Sequence, residues 1–471
     1  MTWRRSSPDA ALPLLEPAHR ALAEGRIEAA VALLADAAAA SSSGSDRALC
    51  QLHLASAASL HGGEGMDRGL QALRAAAGAD PSVVRWPLYR ALHWEFRAAQ
   101  GAAAHQGRRG GSDVDAADDP LAAYHAASAL WRSGATRSTL RRLEAIPADA
   151  VPEHLRWRRW SLLGHVHADA ASWTEAAEAF ERSFAEAPLP ERETERIHLA
   201  GAWLERGDPG RAQRLLRAGD LDPVDRADRS WALQLRGRAE LELGNPGRAL
   251  RILQTAERIA PDADHRYGAL QAIAQALQSL GRPGDAADRL QDALADAGET
   301  DRAYALHERA VALLDAGRPE DATAALDEAL LDPDYPHRAE ATADLADAHL
   351  RTGDLVHAAG TARHALDLGA TGPACLVLGT VALEYYDMDE AAAWFEQAAS
   401  ASPPGDPVWV AAQQSLADVF AQRGSAWAQR LLTHARLALE HTEPASEWTA
   451  SLERYVQQAR HDLGGRDRQV N

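Results

Sequence analysis

The residues of this sequence that could perform chemistry are not spaced as a catalytic or metal site requires. His307-Glu308 begins the zinc-protease pattern of two histidines four residues apart, but Val311 stands where the second histidine is needed. The acidic run in residues 113–119 lacks the ligand spacing of a calcium loop. The sequence contains no lysine, which excludes a Schiff-base lysine and a phosphate-loop lysine. We therefore expect no catalytic residue, no metal ion and no cofactor, and we predict that the protein is not an enzyme.

Length and composition indicate a folded, helical chain. At 471 residues the chain exceeds what one compact core usually contains, so several domains or a repeat array are expected. Alanine and leucine dominate, which favours helices. The net charge of −19 argues against a general affinity for nucleic acid or an anionic membrane.

The sequence also bears on compartment. Cys50 and Cys375 are the only cysteines, too few for a disulfide framework. No apolar stretch is long enough to span a membrane, and the first residues do not have the apolar run of a secretory signal. We expect a cytoplasmic protein.

A glycine followed by a turn recurs along the chain. Its instances are Gly207, Gly244, Gly281, Gly317 and Gly353, at intervals of 37, 37, 36 and 36 residues. A glycine can end a helix in the left-handed conformation, and the proline that follows at several of these sites suits the first turn of the next helix. An alanine lies five residues after each glycine, which predicts a close approach of two helices.

Three segments carry a fuller pattern. The first has Trp160, Leu163, Gly164, Ala176, Phe180 and Pro188; the second has Leu233, Gly237, Ala249, Leu253, Ala256 and Pro261; the third has Cys375, Leu378, Gly379, Ala391, Phe395, Ala398 and Pro403. Their spacing resembles the tetratricopeptide repeat, a helix–turn–helix unit of about 34 residues. The resemblance, with weaker copies, covers about nine-tenths of the chain.

The resemblance implies an all-α fold. We expect an α-solenoid, a right-handed superhelix of about eleven or twelve stacked helix pairs. The expected parts are a flexible N-terminus (1–10), degenerate repeats (11–156) with a disordered insert (101–119), regular repeats (157–405), a terminal degenerate repeat (406–445), a capping helix (446–464) that stops at Gly464, and a flexible tail (465–471).

In the family this chain resembles, the first helix of each pair lines a concave groove that binds peptides. Projecting the first helices inward gives the candidate groove residues Tyr124, Trp131, His165, Gln234, Arg238, Gln271, Gln275, Tyr304, His307, Asp344 and Asp347. We expect Trp131 to be an aromatic anchor, because it falls one place beyond the core register. The acids near the C-terminal end fit either a basic ligand or a solvated face.

We predict a scaffold or adaptor that binds a protein or peptide partner. Some co-chaperones of the family hold a C-terminal carboxylate with lysine and asparagine, and this chain lacks lysine, so we do not expect that mode of binding. The alternative function is a sensor that responds to a peptide or metabolite through the same superhelix.

Overall fold

The computed structural model describes residues 12–60, 63–100, 119–147, 150–217, 225–442 and 446–469. These residues form twenty-four α-helices and no β-strand. The chain divides into two compact units, Met1–Asn245 (unit 1) and Pro246–Asn471 (unit 2). In each unit, consecutive helices pack against each other as antiparallel neighbours, which confirms the predicted all-α solenoid of stacked helix pairs.

Unit 1 contains twelve of the described helices. They are α1 (Leu12–Ala23), α2 (Ile27–Ala40), α3 (Gly44–Ser59), α4 (Gly63–Ala79), α5 (Pro87–Ala99), α6 (Pro120–Arg132), α7 (Thr136–Glu144), α8 (Glu153–Asp169), α9 (Trp173–Glu186), α10 (Leu189–Glu205), α11 (Pro209–Leu215) and α12 (Arg226–Glu242). A short 3₁₀ helix, Pro81–Arg85, precedes α5.

Unit 2 contains the other twelve described helices. They are α13 (Pro246–Ile259), α14 (Ala263–Ser279), α15 (Pro283–Ala293), α16 (Glu299–Asp315), α17 (Pro319–Ala329), α18 (Arg338–Arg351), α19 (Leu355–Leu368), α20 (Thr371–Glu384), α21 (Met388–Ala401), α22 (Pro407–Gln422), α23 (Ala428–His441) and α24 (Glu447–Gln469). A 3₁₀ turn, Ser425–Trp427, joins α22 to α23.

The turn inside each helix pair forms as the glycine pattern predicts. All five glycines of the pattern, from Gly207 to Gly353, have positive φ values, between 68° and 85°. This left-handed backbone is open to glycine because it has no Cβ. Asp208 and Asp354 then cap the following helices by accepting hydrogen bonds from backbone N–H groups. The turn is therefore specified locally, one repeat at a time.

Small residues allow the two helices of a pair to approach closely. The five alanines that follow the turns, from Ala212 to Ala358, are fully buried. Within the pair α8–α9, a Cβ built on Gly164 would lie 2.6 Å from the ring of Phe180. In the pair α20–α21, Gly379 has the same relationship to Phe395 at 2.5 Å. Glycine is required at these two positions because the aromatic ring fills the space of a side chain.

Unit 1 has one contact between helices that are distant in sequence. The first helix, α1, packs against α8 as well as against α2 and α3. In a simple stack each helix pair touches only its neighbours. The contact between α1 and α8 therefore brings together two helices that are separated by six other described α-helices, and it gathers side chains that sequence periodicity does not relate.

The C-terminal helix and the end of the predicted insert differ from what the sequence predicts. Helix α24 packs on α22 and α23 through Leu452, Val456 and Ala459, but it continues through Gly464 to Gln469. The predicted stop at Gly464 is wrong, because this glycine does not take the left-handed conformation that ends a helix. Residues 1–11, 101–118 and 470–471 lie outside the described residues. Asp119, predicted as part of the insert, is instead the N-cap of α6.

No helix in the described part of the chain is both long enough and apolar enough to cross a membrane.

Candidate functional site

Four aromatic side chains form a continuous stripe across unit 1. We call Trp131, His165, His198 and Trp231 the ring stripe; they come from α6, α8, α10 and α12, every second helix in this part of unit 1. Successive ring centroids are 5.4, 4.6 and 5.4 Å apart. All four side chains are partly exposed. The stripe is therefore a connected aromatic surface on the first helices.

The stripe runs diagonally over these helices. Its members lie 3, 6, 9 and 13 residues before the left-handed residue of their own turn, which is Gly134, Ala171, Gly207 and Gly244 respectively. Each step to the next helix thus moves about one helical turn toward the helix N-terminus. The neighbouring rings are 33 or 34 residues apart in sequence, whereas the turns repeat every 36 or 37.

The stripe rests on a buried aromatic ring. Phe180 from α9 packs beneath His165 and His198, with centroid distances of 5.1 and 5.4 Å. Burial and, to a smaller extent, the charge of the neighbouring His198 lower the pKa of His165 to about 4. His165 is therefore a neutral ring at pH 7, and Phe180 packs against both histidines of the stripe.

Three carboxylates lie along the stripe, and each accepts a hydrogen bond from a neutral donor. Asp169 accepts from the indole Nε1 of Trp131 (2.7 Å), Glu195 from the hydroxyl of Ser161 (2.8 Å), and Asp228 from the hydroxyl of Thr194 (2.6 Å). Within the described ranges, none of the three carboxylates forms an ion pair with an arginine. Of the three, Glu195 also lies beside a histidine of the stripe, His198.

Glu195 is the most buried of these carboxylates, with 3% of its surface exposed. Its Oε1 lies 3.5 Å from Nδ1 of His198, and its Oε2 has no hydrogen-bond partner among the described residues. Burial acts to raise the pKa of Glu195, but His198, Ser183 and Ser161 outweigh it and hold the pKa below its usual value. The side chain is therefore a charged carboxylate at neutral pH.

The other candidate residues of unit 1 lie away from the stripe or within the interior. Tyr124 is buried in α6, and burial raises its pKa to about 12. Gln234 donates to Ser230 over 3.5 Å, and Arg238 forms an ion pair with Glu205 at 2.8 Å. The sequence thus identified Trp131 and His165 but not His198, Trp231 or Glu195.

Unit 2 brings three of the candidate residues together around His307. Its Nε2 lies 2.8 Å from a carboxylate oxygen of Asp344, and its Nδ1 lies 2.8 Å from the hydroxyl of Tyr335. Because a carboxylate only accepts, Nε2–H donates to Asp344, and Nδ1 is hydrogen-bonded to the Tyr335 hydroxyl. The ring of Tyr304 packs against Tyr335 at 5.1 Å. Sequence periodicity missed Tyr335 because it lies in the connection between two helix pairs.

The remaining candidates of unit 2 bond to neighbours on the same or the next first helix. Gln271 donates to Glu308 over 3.0 Å, and burial raises the pKa of Glu308. Asp347 pairs with Arg351 at 2.7 Å, and burial raises its pKa. Gln275 is exposed.

A second polar group in unit 1 has the order of a catalytic triad. The hydroxyl of Ser56 lies 2.7 Å from Nε2 of His125, and Nδ1 of His125 lies 2.7 Å from Glu95, which also accepts from Ser128. All four side chains are buried. Ser56 lies inside α3, where the backbone N–H groups already bond within the helix and cannot stabilise an oxyanion. This arrangement favours a role in joining α3, α5 and α6.

Among the described residues, no group of three or more histidine, cysteine or acidic side chains is placed to hold a metal ion.

Comparisons with known proteins agree with the repeat pattern. The family model described as a tetratricopeptide repeat matches residues 272–336 and 307–373. No curated protein matches the chain.

Three solved structures show the kind of protein that this chain is similar to. A tetratricopeptide repeat protein from Parabacteroides merdae is 16% identical, with a TM-score of 0.41, over 55% of this chain and 98% of that chain. PilW, a type IV pilus biogenesis factor, is 18% identical, with a TM-score of 0.38, over 47% and 97%. The Cut9–Hcn1 hetero-tetramer of the APC/C is 13% identical, with a TM-score of 0.44, over 96% and 96%. The tetratricopeptide repeat model matches residues 272–373, and the described helices stack in pairs as such repeats do, so the chain is similar to tetratricopeptide repeat proteins.

Proposed function

We propose that this protein is a non-enzymatic scaffold that binds an extended segment of a partner protein along the ring stripe of unit 1. One observation carries the proposal. Four consecutive first helices each contribute one partly exposed ring, and the rings touch in an unbroken line. Aromatic side chains are frequent anchors of protein interfaces, because they bury a large area at a low cost in conformational entropy.

The stripe is arranged before any partner binds. Phe180 supports its middle from below, and the hydrogen bond from Trp131 to Asp169 fixes the first indole. A surface that is already ordered loses little entropy on binding, which favours affinity. This supports a binding role for the stripe.

The polar groups of unit 1 support a non-enzymatic role. Ser56, His125 and Glu95 have the order of a triad, but a nucleophile must reach its substrate and Ser56 is buried. Cys50 and Cys375 are buried free thiols, which is compatible with a reducing compartment, and we propose a cytoplasmic location.

The test is co-purification from native lysate, quantified by mass spectrometry. Trp131→Ala and Trp231→Ala remove the two ends of the stripe. A matched control is Trp394→Ala, which removes a tryptophan from α21, a second helix of unit 2. We expect partners that bind the wild type and the control to be reduced at least tenfold on both stripe variants. Partners that bind all four proteins equally would show that the stripe is not the binding surface.

A further inference from the structure

We propose that the ring stripe selects a cationic partner segment, whose arginine or lysine side chains lie over Trp131 and Trp231 and beside Asp169, Glu195 and Asp228. This inference rests on the proposed function of the stripe and adds the chemistry of its ligand. It follows from three observations: the carboxylates along the stripe, the neutral ring of His165, and the arginine guanidinium groups that lie over other tryptophans of unit 1.

The charge along the stripe is negative, and within the described ranges no arginine pairs with its carboxylates. Asp169, Glu195 and Asp228 are all hydrogen-bonded by neutral groups, an indole and two hydroxyls, and Glu195 also lies beside His198. Two first-helix arginines of unit 1 are already neutralised, since Arg158 pairs with Glu191 and Arg238 pairs with Glu205. The carboxylates would attract a segment that carries positive charge, whereas they would repel an acidic segment.

The rings offer π faces to that charge. In unit 1, arginine guanidinium groups lie over Trp157, Trp160 and Trp203 at 4.2 to 4.7 Å from the ring centroid. In the part of the chain that the structure describes, no arginine lies over Trp131 or Trp231. These two indoles are therefore the stripe positions where a partner can supply the cation, and tryptophan is the best aromatic acceptor of one.

Between the two indoles, His165 and His198 form the floor of the stripe. The ring of His165 is neutral at pH 7, so it does not oppose a cation. Glu195 lies against His198 with an oxygen that has no hydrogen bond among the described residues. Because Glu195 is buried, it acts on a cation over the stripe through its negative charge and not through a hydrogen bond.

The dimensions of the stripe set the spacing of the cations. The three ring-to-ring distances of 5.4, 4.6 and 5.4 Å place Trp131 and Trp231 at most about 15 Å apart. An extended segment covers that distance in about four or five residues. We therefore expect two basic residues four or five positions apart in the ligand.

The experiment is selection from a random twelve-residue peptide display library against the full-length protein at 0.15 M salt. It uses the wild type, the charge variant Asp228→Asn with Glu195→Gln, and the ring variant Trp131→Leu with Trp231→Leu. The matched control is Glu178→Gln, which removes one negative charge from an exposed position of α9. The charge variant keeps the acceptors for Ser161 and Thr194, so it conserves the local hydrogen bonds. Circular dichroism establishes that each variant is folded.

We expect peptides selected on the wild type and on Glu178→Gln to be enriched in arginine and lysine at the predicted spacing. Synthetic copies of these peptides should bind about tenfold more weakly to the charge variant and to the ring variant. A version with citrulline in place of arginine should lose binding by a similar factor, because citrulline keeps the shape and removes the charge.

Two other outcomes overturn the inference and separate it from the proposed function. Selected peptides that lose binding to the ring variant but show no enrichment in basic residues would contradict the cationic ligand and leave the stripe as the binding surface. Peptides that bind the ring variant as well as they bind the wild type would contradict both the cationic ligand and the stripe as the binding surface.

Discussion

Nε2 of His19 on α1 lies 3.1 Å from Nδ1 of His53 on α3, so one imidazole donates a hydrogen bond to the other. His154 from α8 stacks on His19 with a centroid distance of 5.5 Å. These three residues, the histidine cluster, come from helices that are far apart in sequence and meet where α1 contacts α8. His125 and Arg158 also face the cluster, and their positive charge would oppose its protonation.

The histidine cluster predicts that acid destabilises unit 1. The pKa of His53 and of His154 is lowered to about 3, mainly by burial and to a smaller extent by the neighbouring histidines. Burial also lowers the pKa of His19. The unfolded chain binds protons near pH 6.5 and the folded chain does not. Stability is therefore full above pH 6.5 and falls as the pH drops toward 3, by up to about 1.4 kcal/mol per pH unit for each histidine. Urea unfolding between pH 7.5 and 5 measures the slope.

Variants separate the cluster from general acid effects. His53→Gln and His154→Gln should flatten the dependence of the urea midpoint on pH, whatever they do to the midpoint at pH 7.5. His364→Gln, at an exposed position of α19, should leave the slope unchanged. Equal slopes in wild type and both cluster variants would show that other groups govern the response.

Much of the fold is predictable because its signals are local. A left-handed turn favours glycine, and a close approach of two helices favours alanine or glycine, so Gly207 and Ala212 identify a repeat without knowledge of the rest of the chain. Contacts between distant helices have no such signal. The contact of α1 with α8, and the histidine cluster that it creates, could not be derived from the repeat period.

The ring stripe shows a different limit. Helix projection from the sequence selected Trp131 and His165, and continued to Gln234 and Arg238 by assuming the same position in each repeat. The first helices are instead offset by about one turn, so the stripe continues through His198 and Trp231. A search for aromatic residues 33 or 34 apart would have found both.

The buried network around His125 predicts a stability cost for a small change. Ser56→Ala removes the partner of Nε2 of His125 and leaves a buried polar atom without a hydrogen bond, which costs about 1–3 kcal/mol. Ser59→Ala is the control, because the hydroxyl of Ser59 bonds only to the Ser56 carbonyl at the end of the same helix. The urea midpoint should fall for Ser56→Ala and change little for Ser59→Ala. A similar loss in both would place the effect in the helix and not in the network.

Tyr386 occupies a backbone position that glycine fills in most of the other turns. Its φ is 61° and 85% of its surface is exposed, so it has little packing to compensate the strain. Tyr386→Gly should therefore stabilise unit 2 by about 0.5–1 kcal/mol, as the left-handed penalty exceeds the entropy cost of glycine. Tyr385→Gly is the matched change at a residue with φ of −88°, and it should destabilise. The measurement is the thermal midpoint of each variant, which should rise for Tyr386→Gly and fall for Tyr385→Gly. A lower midpoint in both variants would contradict backbone strain at Tyr386.

Gly164 and Gly201 predict opposite effects of the same substitution in neighbouring first helices. A Cβ at Gly164 would lie 2.6 Å from the ring of Phe180, which is itself held between this glycine and the ring stripe. Gly164→Ala should therefore cost about 1–3 kcal/mol by overpacking, and it should also weaken partner binding because Phe180 supports His165. At Gly201 the nearest atom, on Leu235, is 3.6 Å away, an ordinary contact. Gly201→Ala should stabilise by about 0.5–1 kcal/mol, since alanine is the better helix former. Thermal unfolding of the two variants measures the difference. A neutral Gly164→Ala would show that the packing of Phe180 does not require glycine, and a destabilised Gly201→Ala would contradict the space predicted beside Leu235.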